Sequence, residues 1–128
     1  MENKIKQLRK GIFELMILKS LEKQNHYGYS LIKSITDADR VSINEGTIYP
    51  LLSRLAKEGL VLTEWVESNQ GPPRKYYRLS SKGKGVLIRL GEEFERLTTI
   101  VNSINKTSKD EKKKAKSIKV KKEGDHEQ

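Results

Sequence analysis

The feature that most constrains the fold of this chain is the order of elements predicted between residues 44 and 79. Glycine at position 59 stands where a helix commonly ends in a left-handed residue, and two segments rich in β-branched and aromatic residues follow it, Leu60 to Val66 and Tyr76 to Leu79. Ser-Asn-Gln-Gly-Pro-Pro between them predicts a turn. The helix before Gly59 is indicated by apolar residues at i, i+3, i+4 and i+7, namely Ile48, Leu51, Leu52 and Leu55. A helix followed by a β-hairpin is the layout of a winged helix.

The opposite side of this helix is predicted to carry no acidic group. With about 3.6 residues per turn, Tyr49 and Arg54 flank that side. Small, hydroxylic, aromatic and cationic groups suit contacts with the phosphates and base edges of DNA. An ordinary solvated face is the alternative, because any surface helix carries polar residues. The residues expected to project furthest outward are Gly46, Pro50, Ser53 and Lys57.

Pro50 bears on where the helix begins. A proline deep inside a helix costs about 3 kcal/mol, so the regular helix is expected to start close to Pro50. Asn44 or Thr47 is then the predicted N-cap.

Two cations stand at the far end of the predicted turn. Arg74 and Lys75 follow Pro72 and Pro73 directly, and the prolines stiffen the loop that presents them. In this position the two cations could contact nucleic acid beside the helix. A plain surface hairpin is the alternative, because one Arg-Lys pair is a weak signal by itself.

Composition agrees with a small domain that binds a polyanion. The chain has 128 residues, of which 34% are hydrophobic and 34% charged, with a net charge of +9 and a pI near 9.7. It has no cysteine, which excludes disulfides, thiolate metal sites and thiol nucleophiles; no cofactor is expected. No apolar run reaches the roughly 20 residues that cross a membrane, and no signal-peptide core is visible, so we expect a cytoplasmic protein.

Two more helices are predicted before the hairpin. Ile5 to Lys23 is apolar on more than one face and is expected to be largely buried, and Tyr27 to Ile35 has one apolar side. The second of these helices is predicted to be bounded by Asn25-His26 before it and by Thr36-Asp37 after it. With a connection over residues 37–41 and the Ile48 helix, it completes a helix-turn-helix. The predicted fold class is mainly α with a small β-hairpin wing, an α+β fold.

A long final helix is predicted after Ser80 or Ser81, either of which is a good N-cap. Its apolar residues are spaced as in a coiled-coil seam, and such a helix would leave apolar surface exposed in a monomer. It can pair with a second copy of the chain, pack on the equally spaced Ile5, Leu8, Ile12 and Leu15 of its own chain, or do both. A two-fold dimer would require a palindromic DNA site. The predicted dimer residues are Leu87, Leu90, Phe94, Leu97, Val101 and Ile104.

These elements predict three parts: a winged helix-turn-helix over residues 1–80, a dimerisation helix over 81–105 and a basic tail over 106–128. The tail holds nine lysines and five acidic residues, and only Ile118 and Val120 are sizeable apolar groups. It cannot bury enough surface to offset the entropy of ordering, so disorder is expected. It can act as a solubilising tail or as a sequence-independent DNA-binding arm.

Several motifs together resemble the PadR family of transcriptional regulators. They are Glu14 to Leu18 (ELMIL), Tyr27 to Ile32 (YGYSLI), Gly46 to Leu60 (GTIYPLLSRLAKEGL) and Arg74 to Gly83 (RKYYRLSSKG). The resemblance covers about residues 8–90 in the family's order and spacing, and the single last helix resembles the smaller PadR subfamily.

This resemblance implies a winged-helix homodimer that binds double-stranded operator DNA, usually as a repressor released by a small ligand. By position it implies a DNA-binding role for Thr47, Tyr49, Ser53, Arg54, Lys57, Arg74 and Lys75. Multidrug-sensing members stack flat aromatic compounds between two tryptophans at the dimer interface, and Phe94 matches that position. A Phe94 pair can bind a small aromatic or hydrophobic effector or can simply fill the interface. The only tryptophan, Trp65, lies in the first hairpin strand.

Other functional classes have weaker support. An enzyme is not expected, because His26 and His126 are the only histidines and no phosphate-binding loop, metal spacing or nucleophile motif is present. A winged-helix module for protein or RNA contacts is the remaining alternative, since a fold does not fix its partner.

Overall fold

The computed structural model describes residues 2–36 and 45–105. Within them the chain forms four helices and three strands: α1 Glu2–Lys23, β1 His26–Tyr27, α2 Gly28–Thr36, α3 Glu45–Lys57, β2 Val61–Val66, β3 Arg74–Leu79 and α4 Ser81–Ile104. This confirms the mainly α fold with a small antiparallel sheet. The predicted connection over residues 37–41 and the predicted tail over 106–128 lie outside the described residues.

One core joins the first three helices, the sheet and the start of α4. Its fully buried side chains come from α1, α2, α3 and β2, namely Ile17, Leu18, Leu31, Ile48, Leu52, Leu55 and Val61. The four apolar residues predicted for α3 are all buried there. The expectation that α1 is largely buried is wrong for its first half: residues 2–11 are exposed, and Leu8 is 75% exposed.

The sheet has the strand order β1-β3-β2, with both pairs antiparallel. The predicted hairpin is confirmed as β2 and β3, in which Val61 faces Leu79 and Val66 faces Arg74. The short strand β1 adds to the other edge of β3, with His26 opposite Tyr77. The sequence predicts only a helix boundary at these positions. A strand of two residues shows no periodicity in the sequence and forms only by pairing with a neighbouring strand, so it could not be predicted.

Helix α3 begins directly after Asn44, one of the two residues predicted as its N-cap. It begins at Glu45, so Pro50 lies inside it and Thr47 is a helical residue, not the N-cap; Asn44 lies outside the described residues. The predicted end is confirmed by Gly59, which has a φ of 76°. The amides of Gly59 and Leu60 donate to the carbonyls of Ala56 and Leu55, both at 3.0 Å. This is the Schellman arrangement, with buried apolar residues at its two ends.

Of the two predicted N-caps of α4, the structure selects Ser80. Its hydroxyl oxygen accepts a hydrogen bond from the Gly83 amide at 2.9 Å and donates one to the Gly59 carbonyl at 2.6 Å. Gly83 lies so close to the Leu60 carbonyl that a Cβ atom would overlap it. The end of α3 and the start of α4 are therefore joined through backbone and hydroxyl groups.

The chain divides into two compact units within α4. The first runs to Leu90, past the predicted boundary at residue 80, and the second starts at Gly91. Leu87, which the sequence predicts at a dimer seam, is only 5% exposed and belongs to the core of the first unit. Every described residue from 92 to 105 is exposed. The exposed part of the predicted seam is thus shorter than the sequence repeat.

Candidate nucleic-acid interface

The outward side of α3 carries the first group of predicted contact residues. Ser53 and Lys57 are exposed, as are Gly46 and Pro50, and they lie opposite the four buried apolar residues of the helix. Thr47 is only half-buried and sits on the edge of this side. A narrow exposed strip with a hydroxyl, a cation and little side-chain bulk can approach a phosphate backbone or the floor of a groove.

Arg54 lies at one edge of that strip and is tied to α1. Its Nη1 donates a hydrogen bond to Oε2 of Glu14 at 3.0 Å, and the Arg54 side chain remains 46% exposed. Glu14 is the more buried partner, with its side chain 21% exposed. The ion pair joins α3 to α1 and offsets part of the guanidinium charge. The sequence did not predict this contact, since the two residues are 40 positions apart.

Tyr49 lies at the other edge and is held by α2. Its ring occupies the space beside Gly28, where a Cβ atom would overlap the ring and its hydroxyl. The side chain stays 39% exposed. The two residues predicted to flank the contact face are therefore each held by a different helix, and only part of each remains available to a ligand.

The wing cations lie on opposite faces of the hairpin. Successive residues of a strand point to opposite sides, and the ring contacts agree. The Arg74 guanidinium lies 4.7 Å from the centre of the Tyr27 ring. The Lys75 ammonium lies 5.8 Å from the Trp65 ring and 5.9 Å from the Tyr77 ring. The sequence predicts the two as one group, whereas the structure separates them.

A buried histidine anchors the sheet to the helices. His26 is 5% exposed, and its Nδ1 lies 2.8 Å from the Ser30 hydroxyl. Burial lowers the pKa of His26 below its ordinary value of 6.5, against a smaller opposite effect from a hydrogen bond with the Ser20 backbone. The sequence predicts this residue only as a helix boundary. Its burial could not be anticipated, because β1 was not.

Tyr77, opposite His26 in the sheet, is buried in the same core as the apolar residues of α3. Burial, and to a lesser extent the neighbouring Tyr49 phenol, raises the pKa of Tyr77 above its ordinary value of 10.0. The tyrosine is thus a neutral, packed group at physiological pH. Tyr77 and the apolar side of α3 belong to one core, so the face of the hairpin that bears Tyr77 is the one directed toward α3.

No group of three or more histidine, cysteine, aspartate or glutamate side chains is placed to hold a metal ion in residues 2–36 and 45–105. Among those residues, no helix is long and apolar enough to cross a membrane. A helix-turn-helix with an adjoining wing and an exposed cationic helix defines a winged-helix DNA-binding protein.

Comparison with known proteins identifies the family. Residues 17–89, more than half of the chain, match the model of the PadR-like transcriptional regulator family. The chain belongs to this family. A curated protein of Lysinibacillus sphaericus, described as uncharacterized, is 30% identical over 95 residues, which is 73% of this chain and 87% of that protein.

Solved structures agree with this assignment. A PadR-like transcription factor from Bacteroides fragilis is 44% identical, with a TM-score of 0.69, over 80% of this chain and 98% of the other. A PadR family transcriptional regulator from Eggerthella lenta is 33% identical, with a TM-score of 0.74, over 84% and 93% of the two chains. A PadR-like regulator from Bacillus cereus is 35% identical, with a TM-score of 0.68, over 77% and 95%. The protein is therefore a transcriptional regulator of a DNA-binding family and not an enzyme.

Proposed function

We propose that this protein is a homodimeric repressor that binds a palindromic operator through α3 and the wing. The observation that carries the proposal is the outward strip of α3, where Ser53 and Lys57 are exposed, no acidic group intervenes, and Arg54 and Tyr49 are held at the two edges. A rigid helix with prepositioned edge residues can read base edges without first ordering its side chains. A regulator that binds DNA acts in the compartment that contains the DNA, and this agrees with the cytoplasmic location expected from the sequence.

Dimerisation is supported by the second unit of the chain. Its half of α4 exposes a continuous apolar stripe: Phe94 is 40% exposed, Leu97 47% and Val101 65%, and Ile104 extends the stripe. A stripe of this kind favours burial against a partner helix with the same spacing. Leu90, the last residue of the first unit, is also exposed, whereas Leu87 is buried in the core of that unit and does not contribute to the stripe. In the dimer two copies of α3 meet two half-sites.

A binding site for a small effector at Phe94 would allow that effector to release the repressor from its operator. The exposed ring lies within the stripe, so two copies would face each other across a two-fold axis. Offset stacking of a flat aromatic ligand between two rings is favourable at about 0.5–1.5 kcal/mol per pair. Titration with a planar aromatic dye tests this: Phe94→Ala should abolish binding and Phe94→Trp should retain it. Equal binding by Phe94→Ala would leave Phe94 as a packing residue only.

Selection of duplexes from a random pool at near-physiological salt tests operator binding. Enrichment of a palindrome with half-sites about one helical turn apart is the expected result. Binding without enrichment that disappears as salt rises would contradict the proposal and leave charge-driven association. Protein or RNA partners would then be tested with the same protein.

Variants of α3 test the contact face once an operator is known. Arg54→Ala and Tyr49→Ala are expected to lose specific binding while the dimer persists, at a cost of about 1–3 kcal/mol each. Glu14→Gln is the matched control for Arg54, because it removes the ion pair and keeps the guanidinium. Normal operator binding by both α3 variants would contradict the assigned face.

Leu97→Glu tests the dimer directly, because it places a charge in the middle of the stripe. We expect a monomer by analytical ultracentrifugation and loss of high-affinity operator binding, since one half-site supplies only part of the contacts. Glu93, beside the stripe and paired with Arg96 at 2.8 Å, offers the control Glu93→Gln, which should remain dimeric.

A further inference from the structure

The two faces of the hairpin differ in both chemistry and surroundings. Register places directly paired residues of β2 and β3 on the same face. One face carries Glu64, Arg74 and Arg78 with Leu62, Val66 and Tyr76. The other carries Val61, Thr63, Trp65, Lys75, Tyr77 and Leu79. On this second face Lys75 is the only ionised side chain, whereas the first face mixes both signs of charge.

The second face is the one that continues toward α3. Its inner residues, Val61, Tyr77 and Leu79, are buried in the core with the apolar side of α3, and Tyr77 is near Tyr49 of that helix. Further out the same face ends in Trp65 and Lys75, which are both exposed. A ligand lying along α3 would therefore meet Trp65 and Lys75 before it met Arg74.

Trp65 is unusual for a surface strand residue. Its side chain is 67% exposed, although an indole normally buries most of its large apolar area. The adjacent Lys75 ammonium holds one side of the ring. The indole N–H can donate a hydrogen bond to a phosphate oxygen, and the flat apolar ring can pack against a deoxyribose. The neighbouring Lys75 ammonium attracts the phosphate backbone.

We propose that the Trp65–Lys75 face of the hairpin is the DNA-facing surface of the wing, with Trp65 as a direct contact to the duplex backbone, and that the Arg74 face points away. This rests on the proposed operator binding and adds to it a contact residue and a choice of face. Duplex DNA is favoured as the occupant because this face carries positive charge without any acidic residue, whereas the opposite face holds Glu64.

Trp65 supplies its own probe, because it is the only tryptophan in the chain. The tryptophan of the unaltered protein is excited selectively, and its fluorescence emission is followed while operator duplex is added to saturation. We expect the emission to fall or move to shorter wavelength, with a midpoint equal to that of binding. Emission that stays constant through saturation would overturn the proposal.

Variants at two neighbouring residues distinguish the effect of where a positive charge lies from the effect of losing a positive charge at all. Lys75→Ala and Arg74→Ala each remove one positive charge, so their long-range electrostatic effects are matched. We expect Lys75→Ala to weaken operator binding about tenfold and to flatten the salt dependence by about one ion, and Arg74→Ala to weaken it by no more than about twofold. An Arg74→Ala loss equal to or larger than that of Lys75→Ala would overturn the choice of face.

Trp65→Ala and Val66→Ala form a second matched pair on one strand, since both residues are exposed and lie on opposite faces. We expect Trp65→Ala to weaken binding about fivefold and Val66→Ala to have little effect. Trp65→Phe, which keeps a ring and loses the N–H, should lie between. Thermal melting of each variant verifies that it is folded.

The outcomes distinguish this inference from the proposed function. If the unaltered protein binds no duplex, both are overturned. If it binds an operator while Trp65 emission is constant and Trp65→Ala binds normally, the operator proposal stands and the assigned wing face is overturned.

Discussion

The two halves of α4 continue one apolar repeat but meet different surroundings. In the first half Gly83 and Leu87 are buried, the glycine against a carbonyl and the leucine in the core. In the second half, from Gly91, no described residue is buried, although the same spacing of apolar residues continues. A helical repeat therefore does not reveal which residues its own chain covers.

This difference indicates which interactions depend on a second molecule. Side chains in the first half stabilise the fold of a single chain. Those in the second half gain from burial only when something else covers them. Substitutions in the two halves should therefore differ in whether their effects depend on protein concentration, which gives a direct way to test the comparison.

The largest effect is expected for Leu87→Ala, with Leu97→Ala as its matched partner. Truncating the buried leucine should lower the free energy of unfolding by about 2–5 kcal/mol at any protein concentration. Leu97→Ala should have an effect that grows with concentration, because it acts on association. Urea denaturation at several protein concentrations measures both. Equal, concentration-independent losses would remove the distinction between the halves.

The next effect concerns the glycines of the first half. Gly83→Ala should destabilise the fold by about 1–3 kcal/mol, because the added methyl group meets the Leu60 carbonyl and the Leu79 side chain. Gly85→Ala, where the added methyl group would meet nothing within 4 Å apart from its chain neighbours and the backbone of its own helix, should stabilise the helix by up to about 1 kcal/mol. Thermal melting of both variants compares them. A neutral Gly83→Ala would show that the close approach is not required.

A smaller loss, about 1–2 kcal/mol, is expected for Ser80→Ala, because the variant removes the N-cap and leaves the Gly59 carbonyl without its donor. Ser81, exposed at the first helical position, is the control, and Ser81→Ala should change stability by less than about 0.5 kcal/mol. Denaturant titration should rank the two; the reverse ranking would place the cap at Ser81.

The smallest effect is a pH dependence of the first unit. Because the folded pKa of His26 lies below 6.5, the unfolded chain binds more protons as the pH falls through that region. The contribution of His26 to stability is complete above pH 6.5 and is lost below it, down through the folded pKa. Denaturation between about pH 7.5 and pH 5.5 should show this slope, and His26→Gln should reduce it. An unchanged slope in the variant would assign it to other groups.

Much of the site was predictable because its residues belong to local patterns. The apolar spacing of α3 fixes which residues point outward, which is why Ser53 and Lys57 are exposed as expected. The glycine stop and the alternating strands are local too. The contacts of Arg54 with Glu14 and of Tyr49 with the space beside Gly28 were not predictable, since each joins residues far apart in sequence.

The sequence by itself determined the helices, the hairpin, the basic charge and the resemblance to the PadR family, because periodicity, turn residues and composition act locally. Only the tertiary structure decided that Leu87 is a core residue, that His26 lies in a strand, and that the face of the hairpin with Lys75, and not the face with Arg74, is the inner one. Each of these depends on a partner elsewhere in the chain: a core to fill, a strand edge to pair with, or a bundle of helices that makes one face of the hairpin the inner one.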